Sequence, residues 1–355
     1  MQEIFLPTIF RTANLPEKVS FDALLDGDPQ IIVHDEIIGQ IRELIKIKHP
    51  SMKLSEEDFQ SLISEHIGDK ELSEYGVWVY YPWSRTIVHL LDEEEFIEVR
   101  TNRNRNKITR EEQNILRTKC IGIAGLSVGQ SIALTLVMER TCGEIRLADF
   151  DTAELSNLNR IRTGVHNLGL RKTIIAAREI AEIDPFVKVE IFNDGLQEDN
   201  IDAFFGLERK LDLYVEVCDG IGMKLVSRFK AKQLKMPVVM DTNDRGMLDV
   251  ERFDLEPERP IMHGRLEAFI ENGAIEVTDK NRMEVVNAIL NFDTLSERMK
   301  MSMKEINITI NTWPQLASSV VLGGAITTDI CRRILLGEHQ TSGRYYVDLD
   351  QIFNG

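Results

Sequence analysis

The sequence predicts an α/β protein in which a doubly wound, mostly parallel sheet follows a small N-terminal α/β domain. Three observations lead there. The stretch Lys119 to Asp151, KCIGIAGLSVGQSIALTLVMERTCGEIRLADFD, reads as strand, glycine turn, helix and strand. Downstream of it, apolar strand patterns alternate with helical ones, the signature of a parallel sheet covered on both faces. Residues 1 to 98 carry a separate pattern, two helical stretches and then an aromatic hairpin. The expected boundaries are therefore 1–98 for the small domain and 99–355 for the nucleotide-binding one.

In the first 98 residues, Ile37 to Ile47 and Glu56 to Ile67 have helical periodicity. Gly76 to Tyr81 and Thr86 to Leu91 are aromatic and β-branched strands joined through Pro82-Trp83-Ser84-Arg85, which is a hairpin pattern. Trp78, Tyr80 and Trp83 either line the core of this domain or form a docking surface, and no chemistry is assigned to it. Arg100 to Arg110, RTNRNRNKITR, is a basic run in a chain whose formal net charge is −16. A charge run is ordinarily a solvated linker, but its position just before the glycine-turn strand places arginines where they can counter the charge of a triphosphate.

Ile121, Ile123 and Ala124 form a short apolar strand buried on both faces. Gly125 and Gly129 bracket the turn, and from Ser131 a helix presents Ile132, Leu136 and Val137 on one side. Its N-terminus aims unpaired N–H groups and a partial positive charge at the turn, where a phosphate fits. The next strand, Glu144 to Ala148, ends at Asp149, whose carboxylate is placed to accept hydrogen bonds from a ribose. The turn reads GLSVG, with Ser127 near the place of the middle glycine of the usual dinucleotide fingerprint. Further strands are expected at Lys188 to Phe192, Leu211 to Val217 and Pro237 to Met240, and helices near Arg171 to Glu182, Asn200 to Phe205 and Met223 to Leu234. Beyond Asp249 the pattern loosens into one helical stretch, Asn281 to Lys304, a long apolar helix, Leu316 to Leu336, and a closing strand, Tyr345 to Leu349.

Composition bounds the function. With 43% hydrophobic and 28% charged residues a packed core is expected, and the net charge of −16 argues against a nucleic-acid partner. The four cysteines, Cys120, Cys142, Cys218 and Cys331, form no CxxC pair, so neither a zinc site nor a disulfide framework is expected. The N-terminus lacks the pattern of a signal peptide, and the longest apolar run is too short for a bilayer, which together predict a cytoplasmic chain with no membrane partner.

Four more stretches belong with the glycine turn: Leu155-Ser156-Asn157-Leu158-Asn159-Arg160, Leu168-Gly169-Leu170-Arg171-Lys172, Glu216-Val217-Cys218-Asp219 and the run around Arg103. Singly, Arg160 is a surface cation, Lys172 an ordinary first-turn lysine and Asp219 a helix cap. In this order behind Asp149-Phe150-Asp151 they resemble the ThiF/MoeB-type adenylyltransferases, the prokaryotic relatives of ubiquitin-activating enzymes, over about Arg100 to Arg245. The resemblance implies a Rossmann-like fold and an enzyme that uses ATP and Mg²⁺ to convert a carboxylate, the C-terminus of a ubiquitin-like protein or peptide, into an acyl-adenylate. It implies a nucleotide set of Gly125, Ser127, Gly129, Asp149, Asn157 and Lys224, with Asp149 on the ribose. Arg160 and Lys172 would act on the β- and γ-phosphates, and Asp219 on Mg²⁺. Arg103, in a setting that resembles the family's RYNRQ, would reach the triphosphate of the other subunit of a homodimer. Topology agrees, because the basic run precedes the first strand of the sheet, whose start lies opposite the end where nucleotides bind. No thioester step is expected, since after Arg245 the first cysteine is Cys331, inside a predicted packed helix. Two other readings stand beside this one: a nicotinamide-dependent oxidoreductase, which leaves Arg160, Lys172 and Arg103 without a task, and a catalytically silent nucleotide-binding scaffold.

Overall fold

A computed structural model describes residues 4–206, 209–270 and 275–354. The chain divides into two compact units, 1–110 and 111–355. In the first, a sheet of order β1-β3-β4-β2 is built from β1 (Thr8–Phe10), β2 (Ile32–Asp35), β3 (Val77–Tyr81) and β4 (Thr86–Leu90). The β3–β4 hairpin is antiparallel, as its aromatic alternation and turn residues require, while β2 joins β4 in parallel. Helices α1 (Leu15–Gly27), α2 (Ile37–Lys48), α3 (Glu56–Ile67) and α4 (Glu93–Arg100) complete the unit. Trp78 is a core residue: it is buried, stacks on His89 with centroids 4.0 Å apart, and donates from Nε1 to the Ser73 carbonyl at 3.0 Å. Periodicity does not reveal α1 or β2, because α1 buries only Phe21 and all four residues of β2 are exposed.

After α5 (Arg110–Leu116), the second unit holds a seven-stranded sheet of order β11-β10-β9-β8-β5-β6-β7. Its strands are β5 (Cys120–Ala124), β6 (Glu144–Ala148), β7 (Lys188–Phe192), β8 (Leu213–Glu216), β9 (Pro237–Asp241), β10 (Met247–Arg252) and β11 (Gly343–Tyr346). The five from β5 to β9 are mutually parallel, and β10 and β11 are antiparallel additions at one edge. From β5 the chain proceeds one way to β6 and β7, then returns to the other side of β5 with β8 and β9. The sheet therefore has a switch point between β5 and β8, and a ligand crevice opens there at the strands' carboxyl ends.

The helices are α6 (Gly129–Glu139), α7 (Lys172–Ile183), α8 (Ile201–Phe205), α9 (Ile221–Gln233), α10 (Arg282–Leu290), α11 (Glu297–Glu305), α12 (Ala317–Leu335) and α13 (Leu349–Asn354). Two adjacent residues of β9 separate the layers: Met240 meets Arg228 of α9, whereas Asp241 meets Gly323 of α12. Neighbouring strand residues point to opposite faces, so α9 and α12 cover opposite faces of the sheet. Gly324 of α12 lies against Ser131 of α6, where a Cβ would approach the Ser131 Oγ to 2.5 Å, so these two helices share a face.

Three expectations change. The stretch Asn281 to Lys304 is two helices, broken where Asn291 turns left-handed (φ 60°) and Ser296 caps α11 by accepting the Met299 N–H at 3.2 Å. The closing strand ends at Tyr346, and Leu349, expected at its end, begins α13. Order does not loosen at Asp249, which is the centre of β10. That strand is hidden in the sequence because Asp249 and Glu251 look like surface residues. Both are buried, and both accept hydrogen bonds from Arg228 of α9.

Candidate functional site

The crevice begins with a backbone constraint. Gly125, at the end of β5, has φ +94°, and a Cβ there would run into the Val217 carbonyl beyond β8, so only glycine lets the two strand ends meet. Gly129 starts α6 two residues before the expected Ser131, and a Cβ on it would lie 2.8 Å from Ile123 Cγ2. The helix can thus lie close on its strand. No side chain caps its first turn, which leaves N–H groups directed toward the crevice.

Asp149 binds the turn to the end of β6. Its Oδ2 accepts the Leu126 N–H at 2.6 Å and its Oδ1 the Asp151 N–H at 2.8 Å. The residue is 8% exposed. Burial raises its pKa, against the opposing charge of Lys172 and these two backbone donors. Each oxygen has accepted one donor, which leaves lone pairs for a further partner.

Arg160 follows a single 3₁₀ turn, Leu155–Asn159, and crosses to the glycine turn, donating from Nε to the Ser127 Oγ at 2.8 Å. Its Nη1 also donates to Asn159 Oδ1 at 2.9 Å. Burial lowers the guanidinium pKa and the nearby charge of Asp219 opposes the shift. Asn157 is buried as a brace within its own loop, its Oδ1 accepting the Glu154 N–H at 3.1 Å while the Glu154 side chain accepts in return. Lys172, the first residue of α7, has a side chain 7% exposed and holds Asp151 Oδ2 at 2.6 Å.

Lys224, in the first turn of α9, donates to Glu216 Oε1 at 2.7 Å. Asp219 lies in the β8–α9 loop, exposed and without a hydrogen bond or ion pair among the described residues. A free carboxylate at this place, within electrostatic reach of Arg160, is an oxygen ligand of the kind a hard divalent cation takes. Among the described residues, no group of three or more His, Cys, Asp or Glu side chains is arranged to hold a metal by itself. Arg103 lies in the first unit, exposed on the short 3₁₀ turn Asn102–Asn104.

Sequence reasoning missed Gln315. It lies two residues before α12, and from there its side-chain oxygen accepts from Ser127 Oγ at 3.4 Å and its carbonyl accepts from Asn159 Nδ2 at 2.8 Å. No local signal marks it, since it lies 188 residues from Ser127 and outside any motif. Asp151 was quoted only as part of a motif, yet it is the counter-ion of Lys172. None of the four cysteines has an activated thiol. Burial pushes the Cys120 thiol up to about 12 and raises Cys142, Cys218 and Cys331 as well. No helix among the described residues is long and apolar enough to cross a membrane.

Residues 101–259 match the model of the ThiF family. An uncharacterized protein of Mycobacterium tuberculosis, MT1398, is 45% identical over 278 residues, 78% of this chain and 38% of that protein. A probable molybdopterin-synthase adenylyltransferase of Porphyra purpurea is 34% identical over 108 residues, 30% of this chain and 27% of that one. The chain thus spans well under half the length of either relative. Among solved structures, the E. coli tRNA N6-threonylcarbamoyladenosine dehydratase TcdA, in complex with ATP, shares the fold with TM-score 0.50 at 14% identity, covering 70% of this chain and 98% of that one.

Proposed function

On the match of residues 101–259 to the ThiF family model, we propose that the chain is an ATP-dependent adenylyltransferase acting on a carboxylate. A carboxylate oxygen attacks the α-phosphorus, the bond from that phosphorus to the oxygen bridging to the β-phosphate breaks, and pyrophosphate leaves with its electron pair. The products are an acyl-adenylate and pyrophosphate. The observation that carries this reading is the Arg160–Ser127 hydrogen bond of 2.8 Å, which holds a cation over the glycine turn at the sheet's switch point. Hydride transfer needs no clamp on a γ-phosphate, so the oxidoreductase reading leaves Arg160, Lys172 and Arg103 without a task.

In this reading Gly125, Ser127 and Gly129 admit the phosphates to the α6 N-terminus, and Asp149 accepts from the ribose hydroxyls with its remaining lone pairs. Asn157 supports nucleotide binding by bracing the loop that carries Arg160. Arg160 and Lys172 neutralise the departing pyrophosphate, with Lys172 turning from Asp151 as a phosphate arrives. Lys224 adds positive potential at the crevice floor. Asp219, with its carboxylate unused, holds Mg²⁺, which when bound supplies charge compensation to the phosphate oxygens. This chemistry is positioning and charge neutralisation, and it requires no protein nucleophile. We further propose that the substrate is the C-terminal carboxylate of a ubiquitin-like protein or a peptide. The thiols, all raised in pKa, favour release of the adenylate without a thioester. Arg103 acts in the partner's site of a homodimer.

The test is exchange of labelled pyrophosphate into ATP with Mg²⁺ and a panel of peptides and small proteins. Exchange that depends on a free C-terminal carboxylate is expected. Stabilisation by ATP with Mg²⁺ but no exchange with any carboxylate would favour the silent scaffold, and stabilisation by NAD(H) instead would favour the oxidoreductase.

A further inference from the structure

On the α9 face of the sheet edge, Arg344 of β11 lies opposite Asp249 of β10. Asp249 Oδ2 accepts from Arg344 Nε at 2.6 Å and from His263 Nε2 at 2.9 Å, and its Oδ1 accepts from Arg228 Nη1 at 3.1 Å. Arg259 Nη2 lies 2.9 Å from the other ring nitrogen of His263, and because an arginine can only donate, that nitrogen accepts and Nε2 carries the hydrogen to Asp249. Asp249 is thus engaged by three donors. The other two buried carboxylates are also committed, Glu251 to Arg228 and Glu216 to Arg228 and Lys224.

Both Nη groups of Arg344 are left out. They are shut off from solvent, have no acceptor among the described residues, and belong to a side chain only 6% exposed. A second guanidinium stands close by, since Arg265 follows by two residues His263, which shares Asp249 Oδ2 with Arg344. The Arg265 side chain makes no hydrogen bond or ion pair among the described residues; burial lowers its pKa and repulsion from Arg344 adds to this, against the attraction of Tyr346 and Asp249. Two like charges stand here, and the buried acids beside Arg344, Asp249, Glu251 and Glu216, already have their partners.

The backbone over this spot is strained. Met262, His263 and Gly264 are consecutively left-handed, with φ of 50°, 56° and 80°, and two of them are not glycine. His263 holds the segment down through its ring on Asp249 and its N–H on Glu251 Oε1 at 3.1 Å.

We propose that Arg344 and Arg265 form a second anion site that takes an oxyanion, a carboxylate or a phosphate, bridging the two guanidinium groups. A forked pair of N–H donors suits a two-oxygen acceptor, and a bridging anion removes both the repulsion and the unmet donors. The site is separate from the glycine turn, since β10 and β11 are separated from β5 by β9 and β8 in the sheet, and it does not rest on the adenylation reading.

Crystals of the full chain in selenate, a tetrahedral oxyanion with anomalous scattering, test this directly. A selenium peak within hydrogen-bond reach of the Arg344 Nη atoms and Arg265 is expected. Water alone at those atoms, or selenium at the glycine turn only, would overturn the proposal. In solution, stabilisation by inorganic phosphate should survive Arg160→Gln and be lost in Arg265→Gln, an exposed position where folding is not at risk. Unchanged stabilisation in Arg265→Gln would make any crystal peak an adventitious ion only. Comparing acetate with phosphate then distinguishes a carboxylate-bearing guest from a free phosphate.

Discussion

The Nε of Arg160 and the Oγ of Ser127 are 2.8 Å apart, a hydrogen bond that joins the loop after β6 to the turn after β5. The serine that stands in place of a glycine in the usual fingerprint is thus the seat of the arginine. Removing the cation should do far more harm than removing its seat. Arg160→Ala is expected to lower pyrophosphate exchange by about 10²–10³-fold, the scale of losing one charge-stabilising donor. Ser127→Ala, which leaves the guanidinium in place but less fixed, should cost about tenfold or less by the net value of one hydrogen bond. Equal losses in the two variants would show that Arg160 serves the turn's structure and not the phosphates.

Arg103 and Asp219 provide a test of the dimer. Arg103→Ala and Asp219→Ala subunits should each be inactive alone. Mixed, they should regain part of the exchange activity, because one of the two sites in a mixed dimer receives an intact pair. If labelled subunits demonstrably exchange and activity does not return, Arg103 works within its own chain or has no part in the reaction.

Asp241 predicts a pH dependence of stability. Burial raises its pKa to about 7, and its Oδ2, beside Gly323 of α12, has no hydrogen-bond partner. Between its ordinary value of 3.8 and about 7 the folded chain keeps a proton that the unfolded chain has released. The contribution is therefore fully present below 3.8 and is lost as pH rises through 7. Glu179, raised to about 8 mainly by burial, acts in the same direction. Comparing variant with wild type isolates Asp241: Asp241→Asn should gain stability relative to wild type as pH rises from 4 to 8 in urea unfolding. A difference that stays constant with pH would count against the shift.

Arg228 has a side chain with no exposure, and it is bonded to Glu216, Asp249 and Glu251 at 3.2, 3.1 and 2.6 Å. Burial opposes its charge, but the three carboxylates outweigh burial and raise its pKa. Arg228→Met should therefore destabilise the second unit by about 3–5 kcal/mol, since it leaves buried carboxylates without their counter-charge. Urea unfolding measures this, and a loss under about 1 kcal/mol would show that Lys224 and Arg344 already neutralise the cluster.

The parallel sheet and the glycine turn were legible in the sequence because both are local. An apolar run must be buried, two glycines bracketing a strand-to-helix transition mark a turn, and strands alternating with helices build a parallel sheet covered by helices. The cations were legible by resemblance, since Arg160 and Lys172 stand in ordered stretches behind β6. What each cation touches was not legible. That Lys172 holds Asp151 and that Gln315 returns to Ser127 depend on distances set only once α7 and α12 have packed. The strand β10 was illegible for the same reason. Its buried face carries Asp249 and Glu251, which the sequence presents as surface residues, and only the tertiary fold brings Arg228 of α9 across to neutralise them. Apolar burial leaves a periodic trace along the chain, whereas burial of a charge is decided by a partner far away in sequence, and so it leaves none.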